Sequence, residues 1–358
     1  MIQFRTLIFF MALLVTACVT PQTKTKKIDS VASEIEAKIQ RELVAQDFIE
    51  TYDRLFTIGH PILVKAASLC EKTSYQFGMD TWTAKGMEHE WEEAYRSVYG
   101  LSDLLEIGFL TPDGAAITGG LEKGDILVSV NDWSVPLGDK AYGKFNKKMK
   151  KLSESPDSVT FKIRREEEYH TFTIPPVKTC DYEIALDNTD MINAFADGEK
   201  IIFMKGMMDF FRTDQELALV FSHELAHNTM KHSEAKKTNM ALGTAGGFLV
   251  DILGALAGVN TQGTFSDMGM RNGAKAFSPA FEAEADYVGL YILAVSGHEI
   301  EKSSHFWRRM SLKNSRGISL TTTHPANADR FVGIENAIKE IKAKKLAGQP
   351  LKPEMKDE

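Results

Sequence analysis

Between Leu217 and Ala226 the alternation of apolar and polar residues nearly stops. Leu217, Val220, Phe221 and Leu225 have few exposed-type residues among them, which predicts a helix buried on most sides. Thr213-Asp214-Gln215-Glu216 precedes it and reads as a capping box, with Thr213 as N-cap and Glu216 reaching back from the third helical position. Residues 30–97 read as helices, with mixed charge and periodic apolar positions from Val31 to Phe56. The period shortens over residues 98–178, where Val159 to Ile163 and Tyr169 to Ile174 alternate as a closing hairpin. Ser278-Pro279 opens another helix, serine as N-cap and proline at its first position. Residues 334–346 read as a charged terminal helix and residues 347–358 as a polar tail. Met240 to Gly258 is apolar and glycine-rich, but Asp251 at its centre and five glycines argue against a membrane span. A helical hairpin or lid, within reach of lipid, fits better.

Charge and cysteine content narrow the class. A net charge of −7 with interspersed signs argues against a nucleic-acid surface. Arg5 precedes an apolar run from Leu7 to Val15 that is too short to cross a bilayer as a permanent helix. Val15-Thr16-Ala17-Cys18 resembles a bacterial lipobox, which implies a signal peptide over 1–17, a lipid on Cys18 and a polar tether over 18–29. An uncleaved anchor or an ordinary signal peptide is the alternative. Val19 after the cysteine is not Asp, which favours the outer membrane, on the periplasmic side. The about 340 residues that remain suit two domains. Cys70 and Cys180 flank the central segment, and the sequence leaves a disulfide and two buried thiols equally open.

The buried helix carries the chemistry. In His223-Glu224-Leu225-Ala226-His227 two histidines four apart share a helix face, so both imidazoles can reach one metal ion. Glu224 projects toward the same ion, placed to take a proton from water. The plain alternative is a core helix whose histidines satisfy hydrogen bonds, but burying two histidines and a glutamate without a shared purpose is costly. The extended H-E-x-x-H-x-x-G-x-x-H pattern is not met, because Met230 and Ser233 stand where glycine and the third histidine belong. His232 is off that spacing and reads as a surface residue or one just behind the ligands. A carboxylate must then complete the site, and the 278 helix offers Glu282 and Asp286, four apart, one for zinc and one for a histidine N–H. Glu284 points elsewhere on that helix. An ordinary acidic helix start is the alternative for Glu282.

H-E-L-A-H followed by E-x-x-A-D resembles the HtpX-like and CAAX-prenyl-protease-type metallopeptidases, a gluzincin family. Asn193-Ala194-Phe195-Ala196 resembles the family's edge strand, and Thr323-His324-Pro325 with Arg330 resembles its C-terminal element. The resemblance implies an α+β fold, mainly helical with a small edge-strand sheet, over residues 30–97 and 179–346. It implies one Zn2+ per chain on His223, His227 and Glu282, Glu224 as general base, and Asp286 orienting a histidine. His324 and Arg330 would stabilise an oxyanion, His324 serving instead as a metal ligand in a latent form. Asn193 to Ala196 would pair with an extended substrate. The Gly119-to-Asn131 segment resembles bacterial PDZ domains, which implies a β-rich insert over 98–178 that binds chain ends, although the loop near Gly108-Phe109-Leu110 departs from the pattern. The implied activity is a lipid-anchored endopeptidase acting on protein or peptide substrates in the bacterial envelope, in protein quality control. A non-catalytic zinc-containing adaptor and a hydrolase of cell-wall peptides are the alternatives. Glu224 favours the enzyme, since a structural site needs no base.

Overall fold

The computed structural model describes residues 23, 26–256, 264–275, 278–313 and 328–356. Cys18 and Thr323-His324-Pro325 therefore lie outside the described residues. The chain divides into two compact units, residues up to Arg41 and residues from Glu42 onward. The first contributes, among described residues, little beyond the beginning of helix α1 (Ser30–Lys65).

In the second unit the chain leaves α1 through β1 (Thr73–Gln76) and β2 (Met79–Trp82), then forms α2 (His89–Tyr99), β3 (Glu106–Leu110) and the short α3 (Ala115–Thr118). It continues through β4 (Ile126–Val130), β5 (Trp133–Ser134), α4 (Ala141–Leu152), β6 (Val159–Arg165) and β7 (Glu168–Ile174). It returns along β8 (Val177–Cys180) to β9 (Glu183–Asp187), β10 (Ala194–Ala196), β11 (Lys200–Met204) and α5 (Lys205–Phe210). Six helices follow among the described residues: α6 (Asp214–Thr229), α7 (His232–Leu256), α8 (Thr264–Lys275), α9 (Ser278–Val295), α10 (Ser303–Lys313) and α11 (Ala328–Leu346). The architecture is mixed helix and sheet, as expected.

Two cores form. One gathers Leu55 and Leu63 of α1, Phe203 of β11, Phe221 and Leu225 of α6, Tyr291 of α9 and Ile338 of α11. The other gathers Phe77, Ile107, Leu127, Phe145, Phe161 and Ile174 around the sheet ordered β2-β3-β4-β6-β7, with β5 on β4. The expected hairpin is β6–β7, turning through Glu166 and Glu167 in the left-handed region. Phe77 and β2, which precede the expected boundary at residue 98, also belong to this second core and sheet. Four-residue strands carry too little alternation to stand out from the helical pattern around them. The departure from the PDZ pattern falls on a strand. Gly108-Phe109-Leu110 lies on β3, which is paired on both sides, and Gly108 abuts the Trp82 ring.

The stem of this insert is the antiparallel pair β1–β8, in which Thr73 faces Cys180. Cys70 and Cys180 form a disulfide there, with a Cα–Cα distance of 5.6 Å. The insert also docks on α1, where the Tyr52 hydroxyl donates to Asp80 Oδ2 at 2.6 Å and the Tyr52 ring meets Phe109 edge-on.

Helices α7 and α8 pack on one another as a hairpin. Asp251 is buried and accepts from the Phe265 and Ser266 backbone N–H groups and the Ser266 hydroxyl, so the acid that breaks the apolar run caps the start of α8. No helix among the described residues is long and apolar enough to cross a membrane.

Candidate metal centre

Helix α6 begins where the capping box places it. Thr213 Oγ1 accepts from the Glu216 N–H, while Glu216 reaches one residue further back, to the Arg212 N–H at 2.7 Å, and also holds Arg309. Every residue from Leu217 to Thr229 is buried. Helix α9 crosses it at close range because position 289 is glycine: a Cβ there would sit 3.0 Å from the His223 Cα. That approach brings Glu282 and Asp286, on the same helix, to the two histidines.

The result is a tight triangle. His223 Nε2 and His227 Nε2 are 3.1 Å apart, and the Glu282 carboxylate oxygens lie 3.5 and 3.4 Å from them. Ligand atoms about 2.1 Å from a tetrahedral zinc are separated by about 3.4 Å, so the spacing fits such an ion. These three residues are also the group among described residues whose ligand atoms can share a metal. Their chemistry agrees, two imidazoles and a carboxylate being a zinc donor set. Charge agrees as well. Glu224, Glu282 and Asp286 are buried beside one buried guanidinium, Arg330, among the described residues. Three carboxylates against one cation leave room for a dication in a region where uncompensated charge is costly.

Behind His223 stands a supporting chain. Its Nδ1 lies 3.0 Å from Asp286 Oδ1, and Arg330 donates to Asp286 twice, from Nε at 2.6 Å and Nη2 at 2.9 Å. Burial opposes charge on His223, but the Asp286 and Glu282 carboxylates outweigh it and hold its pKa above the usual value. Burial would raise the Asp286 carboxyl, yet Arg330 and His223 hold it below the ordinary range. The Arg330 guanidinium also lies 4.1 Å over the Trp307 ring, which packs at 5.0 Å from the His223 ring. Arg330 Nη1 lies 3.9 Å from Glu282 Oε2, so the guanidinium stands between Asp286 and the candidate ligands.

The structure brings together His223, Glu224, His227, Glu282, Asp286 and Arg330. Asn193 to Ala196 lies alongside: β10 is an edge strand of the β10-β11-β9 sheet and packs against α6. Asn228, next to His227, clamps that sheet to the helix by accepting from the Gly198 N–H and donating to the Lys200 carbonyl. One carbonyl of the edge is already used, since Ser233 Oγ donates to Ala196 O at 2.7 Å.

Trp307 and Glu284 escaped the sequence reading, and His232 falls on the second of its two readings, just behind the candidate ligands. Trp307 has no local signature. His232 is buried against His227, and Glu284, assigned to another face, is its partner. The stretch His223 to His232 held the signal for the His227–His232 contact, since a histidine five residues after a ligand can fold back across a helix end.

Residues 167–338 match the model of Peptidase family M48, a stretch that contains the whole cluster. The mitochondrial metalloendopeptidase OMA1 of Schizosaccharomyces pombe is 28% identical over 158 residues, 43% of this chain and 45% of that one. The beta-barrel assembly-enhancing protease of Yersinia pestis is 28% identical over 174 residues, 45% of this chain and 35% of that one. The chain thus spans less than half the length of these curated relatives. Among solved structures, the HtrA3 PDZ domain bound to a phage-derived ligand aligns at 16% identity and a TM-score of 0.23, over 30% of this chain and 89% of that one, too slight a likeness to bear on the insert.

Proposed function

We propose that this chain is an M48-family zinc endopeptidase of the bacterial envelope, of the HtpX-like kind, lipid-anchored through Cys18 and acting on protein substrates in quality control. The observation that carries the catalytic part is the buried triangle of two Nε2 atoms and a carboxylate with Glu224 beside it. His223, His227 and Glu282 would hold the zinc, one ion per chain. A zinc ion there supplies Lewis acidity, polarising a peptide carbonyl and acidifying water. Glu224 removes a proton from the attacking water and delivers it to the leaving amine. Asp286 fixes the His223 tautomer, and Arg330 holds Asp286. His324 and Arg330 would stabilise the oxyanion.

The substrate enters as an added strand on β10, using the edge from Asn193 to Phe195 because Ala196 O is already bonded to Ser233. The insert acts as a PDZ-like module that captures chain segments. Supporting this, β2 is the edge of its sheet, and a cleft of about 200 Å³ beside it is lined by Phe77, Met79 and Thr81 with Phe145 and Met149 of α4.

Glu224→Gln tests the reading. The amide cannot accept the proton, so the variant retains zinc and fold but loses cleavage of casein or a misfolded envelope protein. Equal turnover by variant and wild type would exclude Glu224 as the base.

A further inference from the structure

The two histidine ligands are supported in different ways. His223 meets the Asp286 carboxylate, whereas His227 meets a third imidazole. His227 Nδ1 lies 2.9 Å from His232 Nδ1, and His232 Nε2 lies 2.8 Å from Glu284 Oε2. His232 is 1% exposed, and its ring stacks on Phe281 at 4.7 Å. Glu284 is half exposed, so the chain runs from the buried cluster to solvent. Lys231 makes the arrangement possible. It takes a left-handed φ of 55° between α6 and α7, which turns His232 back onto the helix that carries His227.

The proton positions along this chain follow from the metal site. The Nε2 atom of His227 faces His223 and Glu282, so Nε2 is the atom that must offer a lone pair. A ligand imidazole is neutral, which puts its hydrogen on Nδ1. Nδ1 of His232 must then accept that hydrogen. The hydrogen of His232 is left on Nε2, where the Glu284 carboxylate accepts it. One placement of two hydrogens satisfies all three groups, and the exchanged tautomer of either ring breaks a contact.

We propose that His232 and Glu284 are positioning residues that hold His227 in its Nδ1–H tautomer and aim its Nε2 at the metal. The inference rests on the zinc reading above. An imidazole is a weaker acceptor than a carboxylate and has two tautomers of its own, so it fixes His227 only if its far nitrogen is fixed as well. Glu284 does that. Sequence spacing does not show the pairing, because His232 and Glu284 lie on different helices and 52 residues apart.

Zinc affinity of the full chain, measured by chelator competition, tests the relay without reference to turnover. His232→Ala is expected to weaken zinc binding about 10- to 100-fold, the range for loss of a group that orients a ligand. Glu284→Ala weakens it by a smaller factor. The double variant binds no more weakly than His232→Ala, because Glu284 acts only through His232 and the two effects do not add. His232→Gln, whose amide oxygen can accept the same hydrogen, recovers part of the loss. With Co2+ in place of zinc, the visible absorption band shifts in His232→Ala as the ligand tilts. Wild-type zinc affinity in His232→Ala, or effects that multiply in the double variant, would overturn the relay. If His232→Ala does not fold, Glu284→Ala and His232→Gln decide the matter alone, Glu284→Ala at wild-type affinity refuting it. A His227→Ala protein that binds zinc like the wild type would bring down the zinc reading itself, a distinct result.

Discussion

Replacing Gly289 by alanine puts the helix crossing that builds the metal centre to a direct test. The added Cβ would lie 3.0 Å from the His223 Cα, 3.1 Å from the Ser222 carbonyl oxygen and 3.2 Å from the His223 backbone nitrogen. All three neighbours are main-chain atoms of a buried helix, so no side chain can swing aside. Overpacking of this kind costs about 1–3 kcal/mol. Alanine also gains about 1 kcal/mol over glycine inside a helix, which would hide part of the loss. Gly333→Ala supplies the correction, since Gly333 is helical in α11 and its Cβ would meet nothing within 4 Å. The difference between the two variants isolates the contact. At about 2–4 °C per kcal/mol for a domain of this size, Gly289→Ala should melt roughly 2–12 °C below Gly333→Ala. Thermal unfolding with excess chelator removes the metal's own contribution to the difference. Zinc affinity should fall as well, because relief requires α9 to retreat from α6, carrying Glu282 away from His223 and His227. Equal melting points, or a destabilised Gly289→Ala protein with unaltered zinc affinity, would refute the claim that this crossing sets the ligand spacing.

Other consequences are as specific. Glu282→Ala removes a ligand and should cost more than tenfold in zinc affinity by chelator competition, since it exceeds the loss expected for an orienting group. His60 is buried, and burial lowers its pKa to about 4. A group depressed in the fold stabilises above its unfolded value and loses that contribution as pH falls, here between about 6.5 and 4 and by roughly 3 kcal/mol. Urea unfolding of His60→Asn should show a flatter acid limb, and an unchanged limb would refute the assignment. The Cys70–Cys180 bridge spans 110 residues, so in the chain-entropy account Cys70→Ala/Cys180→Ala should lose up to about 5 kcal/mol, read from denaturant unfolding under oxidising conditions. Replacing residues 77–176 by a Gly/Ser linker should leave cleavage of a short unstructured peptide within a few-fold and reduce cleavage of a folded target much more, because remote binding energy is lost. An equal loss for both substrates would make the insert part of the catalytic architecture.

The parts of this protein that were legible in its sequence are those governed by contacts three or four residues apart. The capping box at Thr213, the buried face of α6 and the pairing of His223 with His227 all follow from helical geometry within one element. So does the i,i+4 relation of Glu282 to Asp286 on α9. What decides their roles lies between elements. Nothing near Gly289 in the sequence announces that it faces the His223 backbone, and nothing near Arg330 announces that Asp286 is its partner. Motif order pointed to residues that the fold gathers, but it did not show which of them touch, such as Arg330 with Asp286. The early part of the second core went unread for a related reason. Phe77 and β2 contribute one buried core residue and one short edge strand, and their membership is settled by pairing with β3, some 25 residues later.

The same division explains why the centre is built as two unequal halves. On the His223 side an acid is available one helical turn beyond Glu282, because Asp286 shares the ligand's own helix face. Burying that acid requires a cation, and Arg330 comes from α11 to supply it, with Trp307 shielding the guanidinium's face. On the His227 side the helix ends within two residues, at Thr229, and Nδ1 lies 2.9 Å from His232 Nδ1. The turn at Lys231 brings a neutral imidazole there instead, and Glu284, two positions from Glu282 and thus on a different face of α9, reaches the far side of that imidazole. A second buried carboxylate–guanidinium pair is avoided. One helix therefore contributes a ligand, a direct support and an indirect support at 282, 286 and 284, and the close crossing at Gly289 positions all three at once. It follows that a displacement of α9 should loosen both histidines together, whereas loss of His232 or of Asp286 should loosen one.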